Sequence, residues 1–385
     1  MAGLDSMLAN ADFDLAADIT IAPARARRGA SAESYEAPQI EVALEDNEDA
    51  VVLIEQQGGV FRWSWPADSG ADGRQRRGGG GARRAVFDLV PQGKDSGFSA
   101  ANPPDSEPRR RRGIPLAGWI GERLIEPIRV RVLRFIARKV TDAVIDKVEG
   151  DLREGPRHWD MTRNMWVDGL PALSPDSSPR ILLFVHGTFS STANSFGGIA
   201  AYDSNPAMPL EIVNSYDAMI GFDHKTLALT PLENAAAMNA AFAGLPEGSF
   251  IDAVAFSRGG LVYRAFERAF AASRPDVHFG KAVFVGCTNA GTFLAHPENW
   301  KALVDLYTTI VLASVRAISV VTGFGGVDPV SFAIKAIGDF VKIMPQLAID
   351  GNEVPGLAAM QPGSAVLSEL EAREEDLGRY HAITS

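Results

Sequence analysis

Ser257 lies in the run Ile251–Leu261, I-D-A-V-A-F-S-R-G-G-L, with Ala255 two residues before it and Gly259 two residues after. A serine hydroxyl is a poor nucleophile until a base takes its proton and donors hold the oxyanion that forms. Small residues two positions to either side suit a sharp, strained turn from strand into helix, which presents the hydroxyl above the sheet. The chemistry such a serine performs is attack on an acyl carbonyl. The backbone N–H of Arg258, at the start of the helix, is then one oxyanion donor, aided by the helix dipole. A second apolar run, Ile181–Ser190, I-L-L-F-V-H-G-T-F-S, breaks at His186-Gly187-Thr188. The Thr188 N–H is the expected second donor. His186 and Gly187, like Gly259, are expected to shape the turns, with His186 structural and not the base. Ser190 and Ser191 are expected to cap the turn that follows.

The elements that must position these groups alternate in type from Arg180 onward, the pattern of an α/β fold with a mostly parallel sheet. Strands are predicted at Ile181–Val185, Ala218–Phe222, Ile251–Phe256, Ala282–Val285 and Tyr380–Thr384. Helices are predicted at Pro231–Ala243, Gly259–Ala272, Trp300–Val321 and Pro329–Met344, the last two as a lid over an apolar acyl pocket. A serine nucleophile in such a sheet is followed in the chain by an acid and then a histidine. After Ser257 the histidines are His278, His296 and His381. His278 reads as structural, as does His224 in the loop after Ala218–Phe222. His296 lies near the active face but early in the chain, and His381 lies within the last strand. Asp328 and Asp350 are candidate acids by residue type alone. Cys287 reads as a small buried apolar residue.

Upstream, residues 1–37 carry no sustained period and are expected to be disordered. Residues 38–113 alternate apolar and polar in I-E-V-A-L-E, A-V-V-L-I-E, V-F-R-W-S-W and R-A-V-F-D-L-V, a small β-module. Gly/Arg-rich linkers accompany it at Gly70–Gly81 and Pro103–Arg112, where Arg109–Arg112 reads as a solvated linker and not a nucleic-acid contact. Residues 114–154 are read as one long amphipathic helix, because Ile120, Leu124, Ile128, Val132, Ile136, Val140 and Val144 recur every fourth position. That helix is expected to dock on a neighbouring domain, with attachment to a membrane surface as the rival.

The motifs H-G-T-F-S-S-T, G-F-D-H-K-T-L, F-S-R-G-G-L-V-Y-R and V-G-C-T-N-A-G-T-F-L-A-H-P-E-N-W resemble a bacterial lipase-like α/β-hydrolase family. Members of that family often accompany CHAT-type protease modules. The resemblance runs from about Ile181 to the C-terminus and implies a lipase or esterase activity on acyl esters. This chain departs from the family pattern at Ala255 and Phe256 in the serine turn and at Cys287 in the later loop. The resemblance also makes Tyr380–Thr384 the penultimate core strand, which places the expected acid and base beyond Ser385. A C-terminally truncated, catalytically impaired hydrolase is therefore the expectation for residues 180–385. A pseudoenzyme, or a divergent triad using His296 or His381, are the other two explanations.

The 385-residue chain carries 37 Lys and Arg against 48 Asp and Glu, a formal charge of −11 that argues against general nucleic-acid affinity. One cysteine leaves no internal disulfide framework and suits a reducing, cytoplasmic compartment. Asp305 and Arg316 interrupt the most apolar stretch, Leu303–Val321, against a membrane span. No motif implies a metal or cofactor. The expected ligand is an acyl-ester or lipid-like small molecule. The alternative is a non-catalytic α/β-hydrolase-fold module whose β-module binds a protein partner.

Overall fold

The structure is a computed structural model that describes residues 2–21, 39–56, 58–66, 83–89, 127–136, 145, 148–163, 165–197, 214–318, 329–350, 354–371 and 378–384. It divides into two compact units: Met1–Arg138 with Glu298–Thr309, and Lys139–Pro297 with Ile310–Ser385.

The first unit opens on helix α1 (Ala2–Asn10) and strand β1 (Asp14–Ile21). Residues 2–21 are therefore ordered, contrary to the expectation of disorder. Leu4, Met7, Leu8, Ala11 and Phe13 are all buried, an apolar set too sparse in the sequence to stand out from its Ala- and Asp-rich surroundings. Residues 22–37 lie outside the described residues. Next come β2 (Gln39–Leu44), β3 (Glu48–Glu55), β4 (Phe61–Ser64), β5 (Arg83–Asp88) and β6 (Ile128–Ile136). An antiparallel sheet runs β1-β6-β3-β4, and β2 pairs with β5 in a ribbon of its own. Val42, Phe87, Val52, Ile128, Val130 and Val132 are among the residues of the core between them.

β6 replaces the middle of the expected long helix. A period of four is also a multiple of the strand period of two, so Ile128, Val132 and Ile136 share one face of a strand as readily as one stripe of a helix. Val130 on the same face and Arg129, Arg131, Leu133 and Phe135 on the other complete an alternating, β-branched strand. The arginines pair across to its neighbours and to α1: Arg129 with Asp18, and fully buried Arg131 with Asp5 at 3.1 Å and Glu55 at 3.0 Å. The membrane-surface reading of that segment falls with the helix over these residues. Both linkers, Gly70–Gly81 and Pro103–Arg112, lie outside the described residues.

β4 is an edge strand, and side chains of helix α5 (Trp300–Ile318) hold its outer N–H groups. Trp63 donates its backbone N–H to Asp305 Oδ1 at 2.7 Å and its indole N–H to Thr308 at 2.9 Å, and Phe61 donates to Thr309 at 3.0 Å. Such cover prevents further strand pairing. It also corrects the expected lid, since the α5 residues up to Thr309 belong to the first unit.

Burial pushes the Asp305 carboxyl up to about 6, against the opposing pull of Lys301, the Trp63 N–H and Arg62. A raised acid favours its neutral form in the folded state. The associated stability is complete below about pH 4 and is lost as pH rises through 6, on the order of 2–3 kcal/mol. Asp305→Asn keeps an acceptor for Trp63 and removes the titration. Hydrogen exchange at Phe61–Ser64, corrected for intrinsic rate, should lose protection between pH 5 and pH 7.5 in the native chain and hold it in the variant. Equal losses in both would refute the assignment.

The second unit is built on a seven-stranded sheet of β7 (Gly155–Asp160), β8 (Met165–Asp168), β9 (Arg180–Val185), β10 (Ala218–Asp223), β11 (Phe250–Phe256), β12 (His278–Val285) and β13 (Tyr380–Ile383). Its order is β13-β12-β11-β9-β10-β7-β8. The first five strands in that order are parallel; β7 and β8 add an antiparallel edge. Its helices are α2 (Thr192–Phe196), α3 (Pro231–Phe242), α4 (Gly259–Ser273), the far end of α5, α6 (Pro329–Asp350), α7 (Pro355–Ala358) and α8 (Ala365–Glu369). This is an α/β core with a mostly parallel sheet covered by helices, as the alternation of elements predicts. β9 is buried from Ile181 to Val185, as a strand covered on both faces must be. On one face Phe242 of α3 meets Phe266 of α4 edge-on at 5.5 Å. On the other, Trp159, Trp166, Leu182, Phe184 and Phe196 pack together. The sheet thus begins at Gly155, ahead of the expected boundary at 180, because G-P-R-H-W-D lacks the apolar run of a recognisable strand. α6 is a packed helix and no open flap: Ile334, Ile337, Phe340 and Val341 are buried, and Phe340 tilts against Phe189 with ring centroids 5.5 Å apart.

Candidate active site

The two sequence runs that open the argument end side by side, because β9 and β11 are parallel neighbours paired from Arg180 to Val185. Ser257 follows β11 directly and precedes α4, with φ +52°. A non-glycine residue in that left-handed region carries strain of about 1–3 kcal/mol, which persists only where surrounding contacts impose it. Here its N–H donates to Val285 O at 3.0 Å and its carbonyl accepts from Gly260 N–H at 3.2 Å.

Gly187 abuts this turn: a Cβ placed on it would stand 2.7 Å from Ser257 Cβ and 3.0 Å from Phe256 O. Gly259 is pressed on β9 from the other side, where a Cβ would meet Val185 O at 2.3 Å. Thr188 is fully buried beside Gly187. The Arg258 side chain is buried and donates to Leu229 O at 2.5 Å. Arg258 is the N-cap residue of α4, at the positive end of the helix dipole. Ser191 caps α2, accepting from Asn194 N–H at 3.2 Å.

His186 and His224 are fully buried with their rings stacked, centroids 4.0 Å apart. His186 Nδ1 donates to Gly187 O at 3.0 Å, and its Nε2 accepts the His224 backbone N–H at 3.1 Å. His224 Nδ1 donates to Phe222 O at 3.2 Å, and its Nε2 has no hydrogen-bond partner. Burial lowers the basicity of both rings, that of His224 further because His186 and Arg258 are beside it. Both imidazoles are therefore neutral props of the loops after β9 and β10. Asp223 joins the same loops, accepting from Thr192 N–H at 2.7 Å and Arg157 Nε at 2.9 Å.

Sequence reasoning gave no role to Glu149, a fully buried carboxylate. It accepts from Thr226 N–H at 2.7 Å, Leu227 N–H at 2.8 Å and the Thr226 hydroxyl at 2.5 Å. Thr226 falls in the noted G-F-D-H-K-T-L motif, but Glu149 sits in K-V-E-G-D-L-R, where an acid reads as a solvated helix residue.

Cys287 donates its thiol to Ala255 O at 3.2 Å, and burial pushes the thiol up to about 12, so it is no thiolate nucleophile. His296 closes a short turn with its ring parallel to Phe293 at 6.1 Å. His381 pairs with Val283 in the exposed edge strand β13, and His278 opens β12. Asp328 lies outside the described residues, and Asp350 ends α6. Among the described residues no cluster of three His, Cys, Asp or Glu could hold a metal, and no helix is long and apolar enough to cross a membrane.

Residues 145–385 match the model of the family DUF7379, a domain of unknown function. No curated protein matches the chain. Among solved structures it is similar to the Bacillus licheniformis lipase BlEst2 in mature form, at 17% identity and a TM-score of 0.30, over 57% of this chain and 71% of that one. It is similar also to phospholipase PlaB from Legionella pneumophila, at 16% identity and 0.30, over 50% of this chain and 34% of PlaB. A third is Candida antarctica lipase A in its closed state, at 15% identity and 0.24, over 47% and 50%.

Proposed function

We propose, for a chain that belongs to the DUF7379 family, that the second unit is a serine hydrolase of the lipase or esterase kind acting on acyl esters. Ser257 is the nucleophile, and the backbone N–H groups of Thr188 and Arg258 hold the oxyanion. The observation that carries this reading is the left-handed φ of Ser257 at a strand-to-helix turn, with Gly187 of the neighbouring loop pressed against it. That arrangement concentrates strain and close approach on one hydroxyl-bearing residue, which the packing of an inert serine does not require. The attack would form an acyl-enzyme and release the alcohol, with water then freeing the acid.

Turnover in this chain is slow, on the same proposal. The two buried histidines are committed to loop hydrogen bonds and weakened as bases. A missing general base costs about 10²–10⁴-fold in rate. A fluorophosphonate probe should therefore label the chain slowly at Ser257, and Ser257→Ala should abolish labelling while leaving the fold intact. Added imidazole should speed the wild-type reaction. Labelling that survives Ser257→Ala would sink the assignment.

A further inference from the structure

We infer that Glu149 and Thr226 are positioning residues for the oxyanion loop, an inference that rests on the reading of Thr188 as an oxyanion donor. Thr188 lies between Gly187 and Phe189, and Phe189 holds a left-handed φ of +54° with its ring fully buried. For a bulky aromatic residue that conformation is strained, and it fixes how the Thr188–Phe189 peptide leaves the oxyanion loop. Something must hold it.

A short chain of hydrogen bonds does so. The Phe189 N–H donates to Thr226 Oγ1 at 3.1 Å, and the Thr226 hydroxyl donates to Glu149 Oε1 at 2.5 Å. A hydroxyl has one proton to give. Because the Glu149 carboxylate takes that proton's bond, the oxygen of Thr226 is left to accept from Phe189. Glu149 also fixes the backbone of the Thr226 loop through the Thr226 and Leu227 N–H groups, at 2.7 and 2.8 Å. Gly356 N–H donates to Leu227 O at 2.9 Å from the opposite flank. The loop after β10 is thereby a rigid bracket, and the Thr226 hydroxyl ties it to Phe189 beside the His186–His224 stack. Phe340 seats the Phe189 ring. Both oxygens at the buried end of the chain must accept, which a carboxylate does and an amide cannot.

The test is the rate of fluorophosphonate labelling at Ser257, resolved into a binding constant and a maximal labelling rate. Thr226→Val removes the link to Phe189 and leaves the Glu149 bonds to backbone in place. Glu149→Gln sets an amide donor against the Leu227 N–H and so loosens the bracket one step further back. Both should lower the maximal rate at least tenfold with the binding constant within twofold, and Thr226→Ser should restore it. A general loosening of the fold would not follow this order, because Val matches Thr in shape whereas Ser, the variant expected to restore the rate, lacks the methyl and packs less well. If the wild-type chain labels and folded Thr226→Val labels equally fast, the positioning role is wrong although the nucleophile stands. If the wild-type chain does not label at Ser257, the hydrolase reading fails, and this inference fails with it.

Discussion

Gly259→Ala lowers the melting temperature of the second unit by roughly 6–12 °C and abolishes labelling at Ser257. The new methyl would stand 2.3 Å from Val185 O and 2.6 Å from His186 O. Both contacts are main chain in the end of β9, and neither can rotate away as a side-chain tip could. Relief requires α4 to move off the sheet, and α4 carries Tyr263, Phe266 and Phe270 in the fully buried core. Overpacking of this kind costs about 3 kcal/mol or more, which for a unit of 150–250 residues shifts the midpoint by about 2–4 °C per kcal/mol. The loss at Ser257 should exceed the loss of stability, because the serine is the residue at the pivot of that displacement. Gly244→Ala is the control: nothing lies within 4 Å of a Cβ there. Its midpoint should stay within about 2 °C of wild type. A Gly259→Ala protein with unchanged melting and labelling would show that β9 and α4 are less closely joined than these distances require.

What could be read from the sequence follows from how each element announces itself. The five parallel strands of the second unit are apolar runs that break at small residues, and each falls within a few residues of its expected place. β7 and β8 give no such signal, since G-P-R-H-W-D alternates weakly and holds its edge through Trp159 and Trp166. β6 was hidden by a periodicity that helix and strand share. α1 and β1 were hidden by composition, and β1 finds its partner strand more than a hundred positions away in β6. At the site, local spacing identifies Gly187, Ser257 and Gly259, whose demands are steric and set by near neighbours. Glu149 is illegible for the opposite reason. It meets Thr226 77 residues later, and only the folded chain shows that the two are one device.

Acidification from pH 7 to pH 5 should destabilise the second unit through His186 and His224, by at most about 2 kcal/mol for each ring. Both are driven below their ordinary basicity by burial, so the folded state binds fewer protons than the unfolded chain below about pH 6.5. The stability they confer is present above that value and is lost as pH falls. The groups facing them do not reverse that sign. His186 Nε2 lies 3.9 Å from Asp223, which would welcome a proton, but Asp223 is already bonded to Arg157, and Arg258 opposes a second positive charge. A proton on His186 Nε2 would also face the His224 N–H, donor against donor, and a proton on His224 Nε2 would find no acceptor. His224→Phe preserves the stacked ring and cannot protonate. It gives up the bond to Phe222 O, about 1 kcal/mol at neutral pH, and should flatten the acid limb of a urea-unfolding series by about half. Asp305 works in the other direction in the first unit, where rising pH puts a charge on a buried carboxyl beside Trp63. Hydrogen exchange across pH 5 to 7.5 should therefore show protection rising at β9 and β10 while it falls at β4. Parallel trends in both units would mean that neither buried group governs its surroundings.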